Sequence, residues 1–97
     1  MRESCLGCVR KHIGQTMVLL NESLLGHPEH LWLAIGHMAE AEIEAIKQHK
    51  NLAIHIRQLR KELEIYQKIP YSKFIDLIKE VTLIGEKQKE KHKKSLK

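Results

Sequence analysis

Aromatic residues are scarce in this chain: one Trp, two Tyr and one Phe among 97 residues, so a core has to be built from aliphatic side chains. Glycine and proline are scarce as well, at five and two. That is too few for a β-sandwich or barrel, which needs turn residues every ~8 to 12 positions. No apolar run approaches the roughly 18 residues of a membrane-spanning helix, and Met1 to Arg10 lacks the apolar centre of a signal peptide. The expectation is an unexported, cytoplasmic chain with no membrane segment. Its two cysteines then point to thiols or metal ligands rather than to a disulfide. The length leaves room for one domain and excludes an ordinary two-domain enzyme. Folding at this size buries only about two-thirds of the unfolded surface, so a metal ion or a partner subunit would be a useful staple.

What remains is helical and unevenly charged. The net charge is +5, but Gly85 to Lys97 carries six Lys against two Glu, so four of those five charges sit in the last segment. Residues 1–84 are expected to form a single helical domain and residues 85–97 a basic, disordered tail.

Leu6, Val9, Ile13, Met17, Leu20 and Leu24 follow the three-four spacing of one helix face, which predicts a helix over roughly Val9 to Leu25 closed by Gly26. His27-Pro28-Glu29 then connects to a second helix, for which Pro28 is a suitable start. A second apolar series runs Leu31, Ile35, Met38, Ala45, Leu52, Ile56, Leu59, Leu63 and Tyr66, interrupted only by Glu42 and His49. With no Gly or Pro between His37 and Ile69, one reading is a single helix roughly 60 Å long at about 1.5 Å per residue. The other is a break near Lys50-Asn51, with Asn51 as a cap. The break is the expectation, because a straight helix could not cover its own seam. An unbroken seam would demand a second copy of the chain, and the seam's length predicts a homo-oligomer. Pro70 ends this stretch. Ser72 is placed to cap a short fourth helix, Phe74 to Ile84, closed by Gly85. The fold class expected is all-α: a small bundle of three or four helices, one long helix being the alternative, with an N-terminal zinc knuckle.

The knuckle rests on Cys5-Leu6-Gly7-Cys8 followed by His12. Two thiolates spaced C-x2-C grip one ion, and soft thiolates with imidazole select structural Zn. The chain has no second C-x2-C, so a fourth ligand must come from elsewhere. If the first two helices fold antiparallel about residue 27, residues whose numbers sum to about 54 lie level. His12 then meets Glu42 and Cys5 meets His49. The expected ligand set is therefore Cys5, Cys8, His12 and His49, with His37 as the alternative fourth ligand and His55 available only if the third helix folds back. A redox role for C-x2-C lacks the preceding strand of thioredoxin-like folds. Catalysis would need an open metal position and a base, for which Glu42 is the one candidate; no catalytic residue is assigned and the chain is not read as an enzyme. Glu40, Glu42 and Glu44 spread over different helix faces and make no carboxylate cluster. Arg57, Arg60 and Lys61 line one side of the third helical segment, as a mixed-charge face or a nucleic-acid surface.

The arrangement Cys5-x2-Cys8-x2-Lys11-His12, then Gly36-His37 with Ala39-Glu40-Ala41-Glu42, then Ile56-Arg57, resembles short helical proteins of unassigned activity encoded in bacteriophage and bacterial genomes. The resemblance spans roughly residues 5 to 60. It implies no activity, and it favours His37 as a ligand. The function expected is a small metal-stabilised helical binding protein acting on a macromolecular protein partner, with the Phe74, Ile75, Leu77, Ile78 run as an apolar face. The alternative is a nucleic-acid-binding accessory protein using Arg57, Arg60, Lys61 and the Lys-rich tail.

Overall fold

The computed structural model describes the backbone of residues 5–95 and the side chains of residues 5–88. Four helices follow in order: α1, Leu6–Leu24; α2, His30–Ala45; α3, Lys50–Tyr66; and α4, Tyr71–Ser95. There is no strand among the described residues.

Each helix end has a local cause. Cys5 takes the capping position of α1, where its Sγ accepts from the Cys8 N–H at 3.0 Å. The far end of α1 closes as the periodicity predicts. Gly26 adopts φ +121°, and the His27 N–H reaches back to the Glu22 carbonyl at 3.2 Å, the six-to-one bond of a Schellman turn. The chain does break between α2 and α3, with His49, two residues before Asn51, in the capping position. His49 leaves helical space at φ −130°, ψ 73°, and its N–H still bonds Ala45 O at 2.8 Å; Asn51 lies inside α3. Packing decides the matter. Folding back buries Leu52, Ile56, Leu59 and Leu63, each worth about 1.5–3 kcal/mol. A few interrupted backbone bonds at about 1 kcal/mol each cannot offset that.

α3 ends on Gln67, a non-glycine residue in the left-handed region at φ 59°. α4 starts at Tyr71 with Ser72 already inside it, and the Lys73 N–H bonds Pro70 O. The stop expected at Gly85 does not occur: the helix continues to Ser95. Gly85 keeps a negative φ, and Glu86, Lys87 and Gln88 are good helix formers that carry the chain past one glycine.

Successive helices pair antiparallel. Glu22 meets His30, Glu42 meets Arg57 and Arg60, and Glu62 meets Lys73 across the three connections. α1 also packs on α4, where Leu6 lies 3.9 Å from the position a Gly85 Cβ would take. The neighbours run α1, α2, α3, α4 around a ring, and neither diagonal pair is in backbone contact among the described residues. The result is a four-helix bundle. Its core is aliphatic apart from the single Phe and a buried Thr16: Val9, Ile13, Met38, Leu52, Ile56, Leu63, Phe74 and Leu77 are all essentially inaccessible. On α2 the core face is small, with Ala34, Ala41 and Ala45 buried, which lets α1 and α3 approach it closely.

The seam that motivated self-association is therefore covered from within. Leu31, Met38, Ala45, Leu52, Ile56, Leu59 and Leu63 are buried inside one chain, and only Tyr66 at its end is exposed. A bare seam no longer argues for a second copy.

Two substitutions test this packing. Leu59→Glu buries a charge in the core, a loss comparable with the ~5–15 kcal/mol that holds a whole domain together. The expected outcome is loss of helical circular dichroism; light scattering that found a smaller, folded species would mean the seam is an interface. Gly85→Ala should raise the melting temperature by roughly 4–8 °C, the effect of about 1 kcal/mol gained inside a helix of a domain this size. A glycine that ended the helix in the left-handed region would give the opposite sign.

Candidate metal centre

The level at which α1 faces α2 decides which side chains meet. Thr16 Oγ1, fully buried, donates to His12 O at 2.8 Å and also lies 3.3 Å from Ala34 O on the opposite helix. The Cys5 N–H donates to Glu44 Oε1 at 2.8 Å. His12 Nδ1 lies 3.0 Å from His37 Nδ1. These pairs sum to 49 or 50, about five residues short of the 54 expected from a hairpin centred on residue 27. The midpoint rule assumes that both helices begin level. Here α1 overshoots, leaving Leu24 and Leu25 68% and 75% exposed past its packed region. Cys5 therefore faces Glu44 rather than His49, and His12 faces His37 rather than Glu42.

Where His12 faces His37, three ligand atoms converge. Glu40 Oε2 lies 3.3 Å from His12 Nδ1 and 3.9 Å from His37 Nδ1, so the three edges are 3.0, 3.3 and 3.9 Å. A tetrahedral zinc with bonds of about 2.0–2.1 Å sets its ligands roughly 3.3–3.4 Å apart. The group is within easy reach of that spacing. Two Nδ1 atoms at hydrogen-bonding distance also need one ring to donate and the other to accept, whereas a cation between them takes a lone pair from each. The rings are half-buried, with centroids 5.2 Å apart.

The cysteines stand on the same helix. Positions 5, 8 and 12 fall on one face of α1, with Cys8 one turn before His12. In this structure Cys5 and Cys8 are joined as a disulfide, so neither sulfur is a thiolate ligand and the expected knuckle is not formed. The reason is local: the N-cap turn brings the two Cα atoms to 5.1 Å, inside the range a disulfide spans. His49 is not gathered in. It lies 3.4 Å from the Gln88 side chain, and His55 pairs with Glu80 across α3 and α4. The alternation of Glu40, Glu42 and Glu44 hides the place of Glu40 beside the two histidines. The signal was its i, i+3 spacing from His37. A second group, His27, Glu29 and His30, also has ligand atoms close together, but it sits on the exposed connection between α1 and α2, with His30 bonded to Glu22 at 2.7 Å.

Glu42 belongs to another interaction. It points toward α3, where Arg57 Nε donates at 2.8 Å and Arg60 Nη2 at 3.0 Å. Burial pushes its carboxyl upward, but the hydrogen bonds and charges of the two arginines outweigh this and hold it below the ordinary value. Such a carboxylate is a clamp between α2 and α3 rather than a base. Arg60 also donates to Glu64 at 2.8 Å. Two of the three cations expected of a nucleic-acid surface are thus engaged by carboxylates, while Lys61 is exposed.

No family model matches this chain, and no curated protein or solved structure matches it either.

The Glu42 clamp has a definite pH sign. Its folded value lies below the ordinary 4.5, so its contribution is fully present above that pH and is lost as the pH falls through the lower folded value. Glu42→Gln should cost about 1.5–3 kcal/mol at pH 7, the range for hydrogen bonds to charged groups. Thermal melts of both proteins from pH 7 to pH 3 should converge on acidification; a gap that stayed constant would show that the charge on Glu42 contributes nothing.

Proposed function

We propose that this chain is a small metal-stabilised helical module that acts by binding another protein and performs no catalysis of its own. In the reduced chain Cys5, Cys8, His12 and His37 would hold one structural Zn, with His37 in the place first expected of His49. The observation that carries this reading is the 3.0 Å approach of His12 and His37 from two helices, with Cys8 one turn and the capping Cys5 two turns before His12. A helix N-terminus favours negative charge on sulfur, and a reducing, cytoplasmic setting keeps such a pair as thiols.

The binding surface we assign is the outer face of α2. Trp32, Gly36, Ala39 and Ile43 recur at four-three-four spacing opposite the core, and Trp32 is 69% and Ile43 63% exposed. An exposed sole Trp in an apolar stripe is the type of anchor on which protein interfaces concentrate their energy. α4 is a poorer choice than its sequence suggests, since Phe74 and Leu77 are core residues. The nucleic-acid alternative through Arg57, Arg60 and Lys61 would have to break the ion pairs to Glu42 and Glu64. The same α2 face is where a second copy of the chain would pair.

Protein purified under reducing conditions should contain about one Zn per chain. His37→Ala should remove it and His49→Ala should leave it. Metal-free wild type with both thiols freely titratable would overturn the reading.

A further inference from the structure

The two histidines have a second set of partners that does not involve sulfur. We infer that His12, His37 and Glu40 form a divalent-metal site that operates with the Cys5–Cys8 disulfide closed. This rests on reading the α1–α2 end as a metal centre, but it does not rest on the cysteines.

Three features of the structure support it. The ligand atoms of His12, His37 and Glu40 lie within 4.8 Å of one another in the same state in which the two sulfurs are bonded together. The donor set is two imidazoles and a carboxylate, a combination that zinc accepts when a fourth position is left for water. The ligands also come from both helices of the hairpin, with His37 and Glu40 one turn apart on α2, so the site spans a packed interface. Only the 3.9 Å edge between His37 and Glu40 is long. Glu40 is 60% exposed, so its side chain is free to close that gap by rotation.

Access is provided as well. A groove of about 570 Å³ is lined by Lys11, Gly14, Gln15, Val18 and Leu19 of α1 and by His37 of α2. No Cβ intrudes at Gly14. The His12 and His37 side chains are 25% and 28% exposed, so an ion between them would border solvent and leave its remaining position to water. The His12–His37 pair is thus shared by two donor sets: the thiolates complete it in the reduced chain and the Glu40 carboxylate in the oxidised chain.

Cobalt(II) separates the two, because thiolate ligation adds intense near-ultraviolet charge-transfer bands that nitrogen and oxygen ligands lack. The full chain, oxidised so that no free thiol is titratable, and the Cys5→Ser/Cys8→Ser double variant should each bind about one Co2+ with visible bands only. Glu40→Gln in either background should weaken binding at least tenfold, since even outer-shell partners of metal ligands are worth roughly 10- to 100-fold. Circular dichroism of each variant checks that the bundle is intact. If the oxidised chain and the double variant bind nothing while the reduced wild type does, this inference fails and the cysteine site stands. If the reduced chain shows no charge-transfer band and the same visible spectrum, the cysteine site fails and this one stands. Unchanged affinity in Glu40→Gln would remove Glu40 from the site and overturn the inference.

Discussion

The close contact between α1 and α2 at Thr16 and Ala34 sets most of what this molecule can do. A fully buried threonine beside an alanine lets two backbones approach, and the Thr16 hydroxyl, bonded to His12 O at 2.8 Å, is left no need for water. That contact fixes the level of the hairpin. Once Thr16 faces Ala34, one turn further along His12 must face His37, and two turns beyond that Cys5 must face Glu44. The chemistry at the hairpin end follows from a packing contact in its middle.

The rest of the bundle is arranged around the small core face of α2. Ala34, Ala41 and Ala45 leave room on both sides, so α1 and α3 can each lie against the same helix, and α4 closes the ring. The fold-back at His49 makes this possible without Gly or Pro, because the apolar residues of α3 gain more from burial than the broken helix loses. Glu42, held by Arg57 and Arg60, then pins α2 to α3 on the side away from the histidines.

The helices and their core faces were legible in the sequence because apolar spacing reports directly on burial. The break before α3 was legible for a different reason: a straight seam had nowhere to go. Three things were not legible. The level of the hairpin depends on how far α1 overshoots its connection, which no local pattern encodes, and a five-residue slip was enough to set Glu44 rather than His49 opposite Cys5 and His37 rather than Glu42 opposite His12. The continuation of α4 through Gly85 depends on the helix formers that follow, which outweigh one unfavourable residue. The disulfide depends on the capping geometry of Cys5, whereas C-x2-C spacing is common to thiols, metal ligands and disulfides alike. Glu42 interrupts the seam as the sequence indicates, and it does so to meet two arginines instead of the cysteines.

A metal ion held between His12 of α1 and His37 of α2 would tie the two helices together and stabilise the fold. A ligand that binds only the folded state raises stability by RT ln(1 + [L]/Kd), which is about 2.7 kcal/mol at a hundredfold excess over Kd. The direct measurement is the melting temperature of the reduced chain with excess Zn2+ and again with excess chelator. The account predicts a rise of roughly 10–20 °C with zinc for a domain of this size, reversed by the chelator and absent in His12→Ala/His37→Ala. Identical melting with zinc and with chelator would contradict it.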